Sequence, residues 1–172
     1  VWVLAPANAL EERHPVRLRW DFELQDGQRF TDERYAVLRE TSRQLIALIR
    51  AHSMFTGLPL RPSTVAQYFF TLRCLLQWMD GEGFSRFAQL DPPALLQFQQ
   101  WLRTRPLAGH PSPRAPGTVL RHLYLFAYFH RFGGELDDSL SFDPFAGQDQ
   151  RRAAGYHEGM RHPWPYTPDT VA

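Results

Sequence analysis

The sequence predicts a mainly α-helical domain of four helices, preceded by a short β-strand or hairpin arm. Apolar side chains recur at helical spacing in four segments, whereas one short segment near the start alternates between apolar and charged side chains. Segments rich in proline and glycine separate these patterns. Of the 172 residues, 44% are hydrophobic and 14% aromatic, so the chain can form a substantial core and is not disordered throughout.

Residues 1–31 are predicted to form the β arm. Residues 16–24, VRLRWDFEL, alternate between apolar and charged side chains, which is the pattern of a half-buried strand. The Asp26-Gly27 pair that follows is a turn signal. Because one strand cannot satisfy its own backbone, it needs a partner. The candidates are residues 28–30, the VWVL start of the chain, and another chain or domain.

The helical domain is expected to cover residues 32–147. Its helices are predicted at residues 32–52, 62–80, 91–104 and 118–132. Thr31 is expected to cap the first helix, Pro92 suits the first position of the third, and the Gly133-Gly134 pair ends the fourth. Residues 148–172 are polar and rich in proline, and they are interpreted as a linker toward a further domain.

Composition excludes several classes of protein. No apolar run is long enough to cross a bilayer, and no signal-peptide pattern opens the chain, so no membrane partner and a cytoplasmic location are expected. The single cysteine, Cys74, excludes an internal disulfide and a cysteine-based zinc site.

Motifs for catalysis, metals and cofactors are also missing from the sequence. His157 and His162 are five residues apart, whereas the zinc-protease pattern needs two histidines four apart on a helix. A phosphate-binding loop of the Walker type needs a lysine, and the chain has none. The Asp137-Asp138 pair is interpreted as a solvated turn rather than an acid/base pair. We therefore expect no catalytic residues, metal or cofactor in this chain.

All 19 basic side chains, histidine apart, are arginine. Arginine suits bidentate contacts with phosphate and guanine, although high-GC codon usage would give the same composition without any functional cause. The formal net charge is only +1, so total charge does not predict a nucleic-acid partner. A DNA-binding surface would require local segregation of charge.

The fourth helix carries a candidate DNA-binding surface. A rotation of 100° per residue places Arg121, Tyr124, Tyr128 and Arg131 on the side opposite the core residue Val119. Exposed arginine interleaved with tyrosine suits contacts with phosphates and base edges. The alternative is that the tyrosines pack under the first helix and the arginines are merely solvated.

The start of the second helix is a further candidate, because free backbone N–H groups there attract phosphate and hydroxyl side chains add contacts. The residues concerned are Arg61, Ser63, Thr64 and Gln67. The alternative is ordinary capping of the helix by Ser63 or Thr64. Arg114 and Thr118, at the start of the fourth helix, have the same two interpretations.

The order of these elements resembles the core-binding domain, a SAM-like helical bundle, of tyrosine site-specific recombinases, the phage-integrase family. The resemblance covers residues 32–147 and depends on the order of several short matches. These are PSTVAQY at 62–68, Gln77-Trp78 before Gly81 and Gly83, QLDPPALLQFQQWL at 89–102, Thr118-Val119 with Arg121 and Leu123, Asp143-Pro144-Phe145, and WPYTPDTVA at 164–172. Phe69 and Ala127 depart from the family pattern, since basic residues are common at those positions.

The resemblance implies a module that binds the double-stranded DNA of a recombination site, with the second and fourth helices toward the major groove. Cutting and rejoining of DNA would belong to a C-terminal domain that this chain does not include, and self-association on DNA would depend on the full-length protein. The alternative function is a helical protein-interaction or oligomerisation module that does not bind DNA.

Overall fold

A computed structural model describes residues 1–5, 15–104, 116–144 and 146, with only the backbone of residues 116–118. The predicted class is confirmed, since four helices follow a short antiparallel hairpin. The elements are β1 (Trp2–Leu4), β2 (Val16–Leu18), α1 (Ala36–Ala51), α2 (Pro62–Glu82), α3 (Pro92–Thr104) and α4 (Pro116–Arg131). Short 3-10 turns lie at Glu33–Tyr35, Phe87–Gln89 and Gly133–Glu135. The predicted linker, from residue 148 onward, lies outside the described residues.

The segment at residues 16–24 pairs with both of its candidate partners within the chain, the VWVL start and residues 28–30. β1 pairs antiparallel with β2, with Trp2 opposite Leu18. Farther along, the Phe30 N–H donates to the Phe22 carbonyl at 2.9 Å, after a turn at Gly27 with φ +79°. The predicted alternation is confirmed as well, because the four charged side chains of residues 16–24 are exposed and the apolar ones from Leu18 onward are buried.

The arm packs on the helices and shares their hydrophobic core. The Trp20 ring meets the edge of Phe69 on α2 at a centroid distance of 4.8 Å. Two arginines of the helices stack on arm aromatics: Arg43 lies over Trp20 at 5.7 Å and Arg73 over Phe22 at 4.6 Å. Burial lowers the pKa of Arg73, and Asp21 opposes that shift.

The residues at the ends of α1 and α2 explain where these helices begin and end. Thr31 does not cap α1, because the 3-10 turn at Glu33–Tyr35 precedes that helix and Tyr35 is its N-cap residue. Apolar side chains at helical spacing in this segment are buried, namely Tyr35, Leu38, Leu45, Ile46 and Ile49. α2 starts with Pro62 at its first turn and ends at Gly83, whose φ of +81° suits glycine. It is covered on several sides, although Phe70 stays 61% exposed.

The packing of α3 and α4 completes the core. Asp91 caps α3, because its Oδ1 accepts the Ala94 N–H at 2.8 Å. The Phe98 ring of α3 packs against Phe126 of α4 at 5.7 Å. α4 contacts α1, α2 and α3, so it lies at the centre of the bundle. No helix among the residues that the structure describes is both long and apolar enough to cross a membrane.

The prediction that Asp137 and Asp138 form a solvated turn is wrong for Asp138. Asp138 is 6% exposed and accepts the backbone N–H groups of Phe87 at 2.6 Å and Ala88 at 3.1 Å. It thereby ties the segment after α4 to the turn before α3. Asp137 is exposed as predicted and accepts a hydrogen bond from Gln44 Nε2 at 2.6 Å.

Candidate nucleic-acid interface

The loop between α1 and α2, residues 52–61, is held by its own polar atoms. The Leu60 N–H donates to the Arg50 carbonyl at 2.9 Å, which brings the start of α2 beside the end of α1. Within the loop, the Ser53 N–H donates to the Leu58 carbonyl at 2.9 Å, and Ser53 Oγ accepts the Phe55 N–H at 3.2 Å. The left-handed turn at Gly57, with φ +70°, closes this loop.

The second half of α4 lies against this loop. The Tyr128 hydroxyl accepts the Met54 N–H at 3.1 Å, and Arg131 Nη1 donates to the Met54 carbonyl at 3.4 Å. One turn earlier, the Tyr124 ring meets the edge of Phe55 at 5.2 Å. The loop therefore covers the tyrosine side of α4.

The start of α2 meets the same side of α4. The Tyr68 ring packs on the edge of Tyr128 at 5.1 Å. Burial raises the pKa of Tyr68, Tyr128 and Tyr124 add to the rise, and the positive charge of Arg121 opposes it. Because Tyr68 stands one helical turn from Thr64, the two predicted DNA-binding segments are neighbours in space.

The exposure of the predicted contacts differs from residue to residue. Arg61, Ser63, Gln67 and Arg131 are exposed, whereas Thr64, Arg121 and Tyr124 are partly buried. Arg114 lies outside the described residues, and the side chain of Thr118 does too.

The prediction that Tyr128 is exposed is wrong. Its side chain is 0% exposed, and its hydroxyl is bonded to the loop backbone, so Tyr128 cannot reach DNA in this conformation. The alternative of internal packing holds for Tyr128, although the cover is the loop after α1 rather than α1 itself. The N-cap residue of α2 is Arg61, which makes no side-chain cap hydrogen bond, and Ser63 and Thr64 lie within the first turn of the helix.

Charge is segregated in the chain in a way that the net charge of +1 conceals. Residues 41–79 and 92–134 contain no aspartate or glutamate, and they carry four and five of the 19 arginines. These acid-free segments include most of α1 and α2 and all of α3 and α4. Their lack of acids is visible in the sequence, whereas the total charge of the chain conceals it.

The acids of α2 lie at its other end. Asp80 accepts a hydrogen bond from Tyr35 at 2.8 Å and another from the Asp26 N–H at 3.2 Å, and Arg34 pairs with Asp26. Burial raises the pKa of Tyr35, and the hydrogen bond with Asp80 adds to the rise. At about 1.5 Å per residue, the 21 residues of α2 separate this cluster from Arg61 by roughly 25–30 Å.

We call the opposite end of the bundle the basic end, defined by the 52–61 loop together with Arg50, Arg121 and Arg131. Arg50, which is exposed in the last turn of α1, is not among the predicted contacts, since only the fold brings it beside the start of α2. The exposed acid closest in sequence to this end is Glu135, just after α4. The described residues include no cluster of histidine, cysteine or acidic side chains that could hold a metal ion.

Comparisons with models of known protein families, with curated proteins and with solved structures gave no match for this chain.

Proposed function

We propose that the chain is the DNA-binding domain of a tyrosine-type site-specific recombinase or integrase and that it binds double-stranded DNA with its basic end. The observation that carries the proposal is the contact between the first turns of α2 and the side of α4 that carries Arg121 and Arg131, at an end of the bundle whose segments lack acids. A duplex is a polyanion, and local positive charge without nearby acids attracts it even when the net charge is close to zero.

The residues of the basic end and of the adjoining turns of α2 and α4 have different parts in this proposal. Arg61 and Arg131 are exposed and would bind phosphates, because arginine holds phosphate oxygens in a bidentate manner. Ser63 and Gln67 are exposed on the first turns of α2, where the positive end of the helix dipole favours a further phosphate. From α4, Arg121 would bind a further phosphate and Tyr124 would add contact surface, whereas Tyr128 is fully buried and supports the surface from below.

The wider setting is part of the same proposal. DNA cutting and rejoining would be carried out by a separate catalytic domain, and this domain would grip and orient the recombination site. Self-association would occur on DNA through the full-length protein, in the cytoplasm.

The proposal is tested by titrating a fluorescent duplex of about 30 base pairs, roughly three helical turns, with wild-type protein and with Arg121→Ala. Each arginine that contacts a phosphate contributes nearly one unit to the slope of log affinity against log salt concentration. We therefore expect Arg121→Ala to weaken binding and to reduce that slope by about 1.

Arg29→Ala is the matched control, because Arg29 is an exposed arginine of the arm, close in sequence to the Asp26 cluster at the far end of α2. It should leave both the affinity and the slope unchanged. Equal losses for the two variants, or no binding by the wild-type protein at low salt, would count against the proposal.

A protein-interaction module is the second candidate, and the edge of the arm favours it. Among the described residues, β1 pairs on one side only, and its Val3 side chain is exposed. A partner strand could therefore add to this edge. Size measurements of the purified protein at several concentrations distinguish the two candidates, since this module would associate without DNA.

A further inference from the structure

The loop of the basic end exposes two large apolar side chains. Phe55 is 53% exposed and Leu58 is 66% exposed, whereas the other aromatic side chains that the structure describes are buried or partly buried, with the exception of Phe70 on α2. Both stand in the segment between α1 and α2 that separates Arg50 from Arg61. Exposure of apolar surface in water is unfavourable, so two such neighbours in one short loop indicate a contact surface.

The loop holds these side chains in a fixed position. Ser53 accepts the N–H groups of Phe55 and Thr56 with its hydroxyl, and its carbonyl accepts the Gly57 N–H at 2.7 Å. Tyr128 and Arg131 of α4 bind the N–H and the carbonyl of Met54. A loop with so many internal hydrogen bonds loses little conformational entropy on binding, so it can present a preformed apolar projection.

The surroundings of this projection indicate the chemistry of its partner. Arg61 follows the loop directly, and Arg131 contacts its backbone. The acid-free segment 41–79 contains the whole loop. A partner that offers phosphates and, a few ångströms away, apolar ring faces matches this pattern, and a nucleic-acid duplex does so at every base step.

An anionic membrane also combines negative charge with apolar material. Insertion into it usually involves the long apolar face of an amphipathic helix. Here the apolar side chains are two, they belong to a tight turn, and Thr56 and Gly57 stand between them. The pattern therefore favours the duplex.

We infer that Phe55 and Leu58 form an apolar wedge that enters a groove of the bound duplex and loosens the stacking of one base step, while Arg61 and Arg131 hold the flanking phosphates. This inference rests on the proposed function, which it deepens by assigning the mode of contact. Apolar wedges of this kind work best at pyrimidine–purine steps, which unstack most readily.

The test uses a duplex of about 30 base pairs with the fluorescent base 2-aminopurine at a central TA step, whose fluorescence rises when stacking is lost. Wild-type protein should raise the fluorescence. Phe55→Ala should bind about tenfold more weakly, at every salt concentration and with an unchanged salt slope, because an apolar contact releases no counterions. Its fluorescence rise should disappear.

Leu58→Ala should give a smaller change in the same direction, and because the Leu58 side chain is mostly in solvent this variant should fold normally. Leu96→Ala is its matched control, since Leu96 is 60% exposed on α3 and α3 supplies no residue to the basic end. It should behave as the wild-type protein in both readouts.

The outcomes separate the wedge from the proposed function. If wild-type protein does not bind the duplex, the proposed function fails and the wedge fails with it. If it binds with a salt slope that depends on Arg121 but Phe55→Ala binds equally well and still raises the fluorescence, only the wedge is refuted. Tighter binding to vesicles of phosphatidylserine and phosphatidylcholine than to the duplex, lost in Phe55→Ala, would assign the projection to membranes and also overturn the wedge.

Discussion

Replacement of Tyr128 by phenylalanine tests how the basic end is supported. The Tyr128 hydroxyl accepts the Met54 N–H at 3.1 Å. Tyr128→Phe keeps the buried ring and removes this hydrogen bond. Since Tyr128 is fully buried, solvent cannot replace it without a rearrangement of the loop.

The expected cost follows from this bond. Removing the acceptor leaves the Met54 N–H without a partner, which costs about 2 kcal/mol, so Tyr128→Phe should lower the free energy of unfolding by about that amount. Tyr68→Phe leaves the Met54 bond in place and keeps the ring contact with Tyr128, so it should cost less than about 1 kcal/mol.

Urea unfolding of the wild-type protein and the two variants measures these differences, and hydrogen exchange of the Met54 amide locates them. We expect the thermal midpoint of Tyr128→Phe to fall by about 4–8 °C. Exchange of the Met54 amide should accelerate in that variant and stay slow in Tyr68→Phe. Unchanged stability with an unchanged Met54 amide would refute the account of how α4 supports the loop.

Two further predictions concern groups away from the loop. Asp138→Ala leaves two backbone N–H groups without their acceptor, one of them on the buried Phe87. Urea unfolding should therefore show a loss of about 3 kcal/mol in the free energy of unfolding. Asp137→Ala, at the exposed neighbouring position, should cost less than about 1 kcal/mol. The pKa of Tyr68 is raised in the folded protein, so its stabilising contribution is complete below about pH 10, the pKa of an unfolded tyrosine, and is lost as the pH rises above it. Unfolding measured from pH 8 to 12 should therefore show a decline that begins near pH 10 and is weaker in Tyr68→Phe; equal declines in the two proteins would contradict this explanation.

The helices could be predicted from the sequence because each one buries apolar side chains that recur at helical spacing. The third helix ends at Thr104, the residue where its end was predicted. Its apolar residues Leu95, Phe98 and Leu102 are all buried. The alternation of the arm was equally informative, since a period of two places one set of side chains toward the core. Local patterns of this kind depend on few neighbours and survive in the fold.

The burial of Tyr128 on α4 could not be predicted in the same way. A helical wheel assumes that cover comes from one side, and it placed Tyr128 opposite the core residue Val119. The cover over Tyr128 is the 52–61 loop, which has no periodicity and lies 74 residues away from Tyr128 at the Met54 contact. Asp138 was misjudged for the same reason, because its partners Phe87 and Ala88 are about 50 residues away.

The amide chemical shifts of isotope-labelled protein, followed during titration with the duplex, test the central proposal most directly. If the basic end binds DNA, the largest changes should fall on residues 50–67 and 121–131, with little change in β1, β2 and the turn around Asp80. Changes centred on the arm or on α3, with residues 50–67 unaffected, would contradict the assignment of the DNA-binding surface.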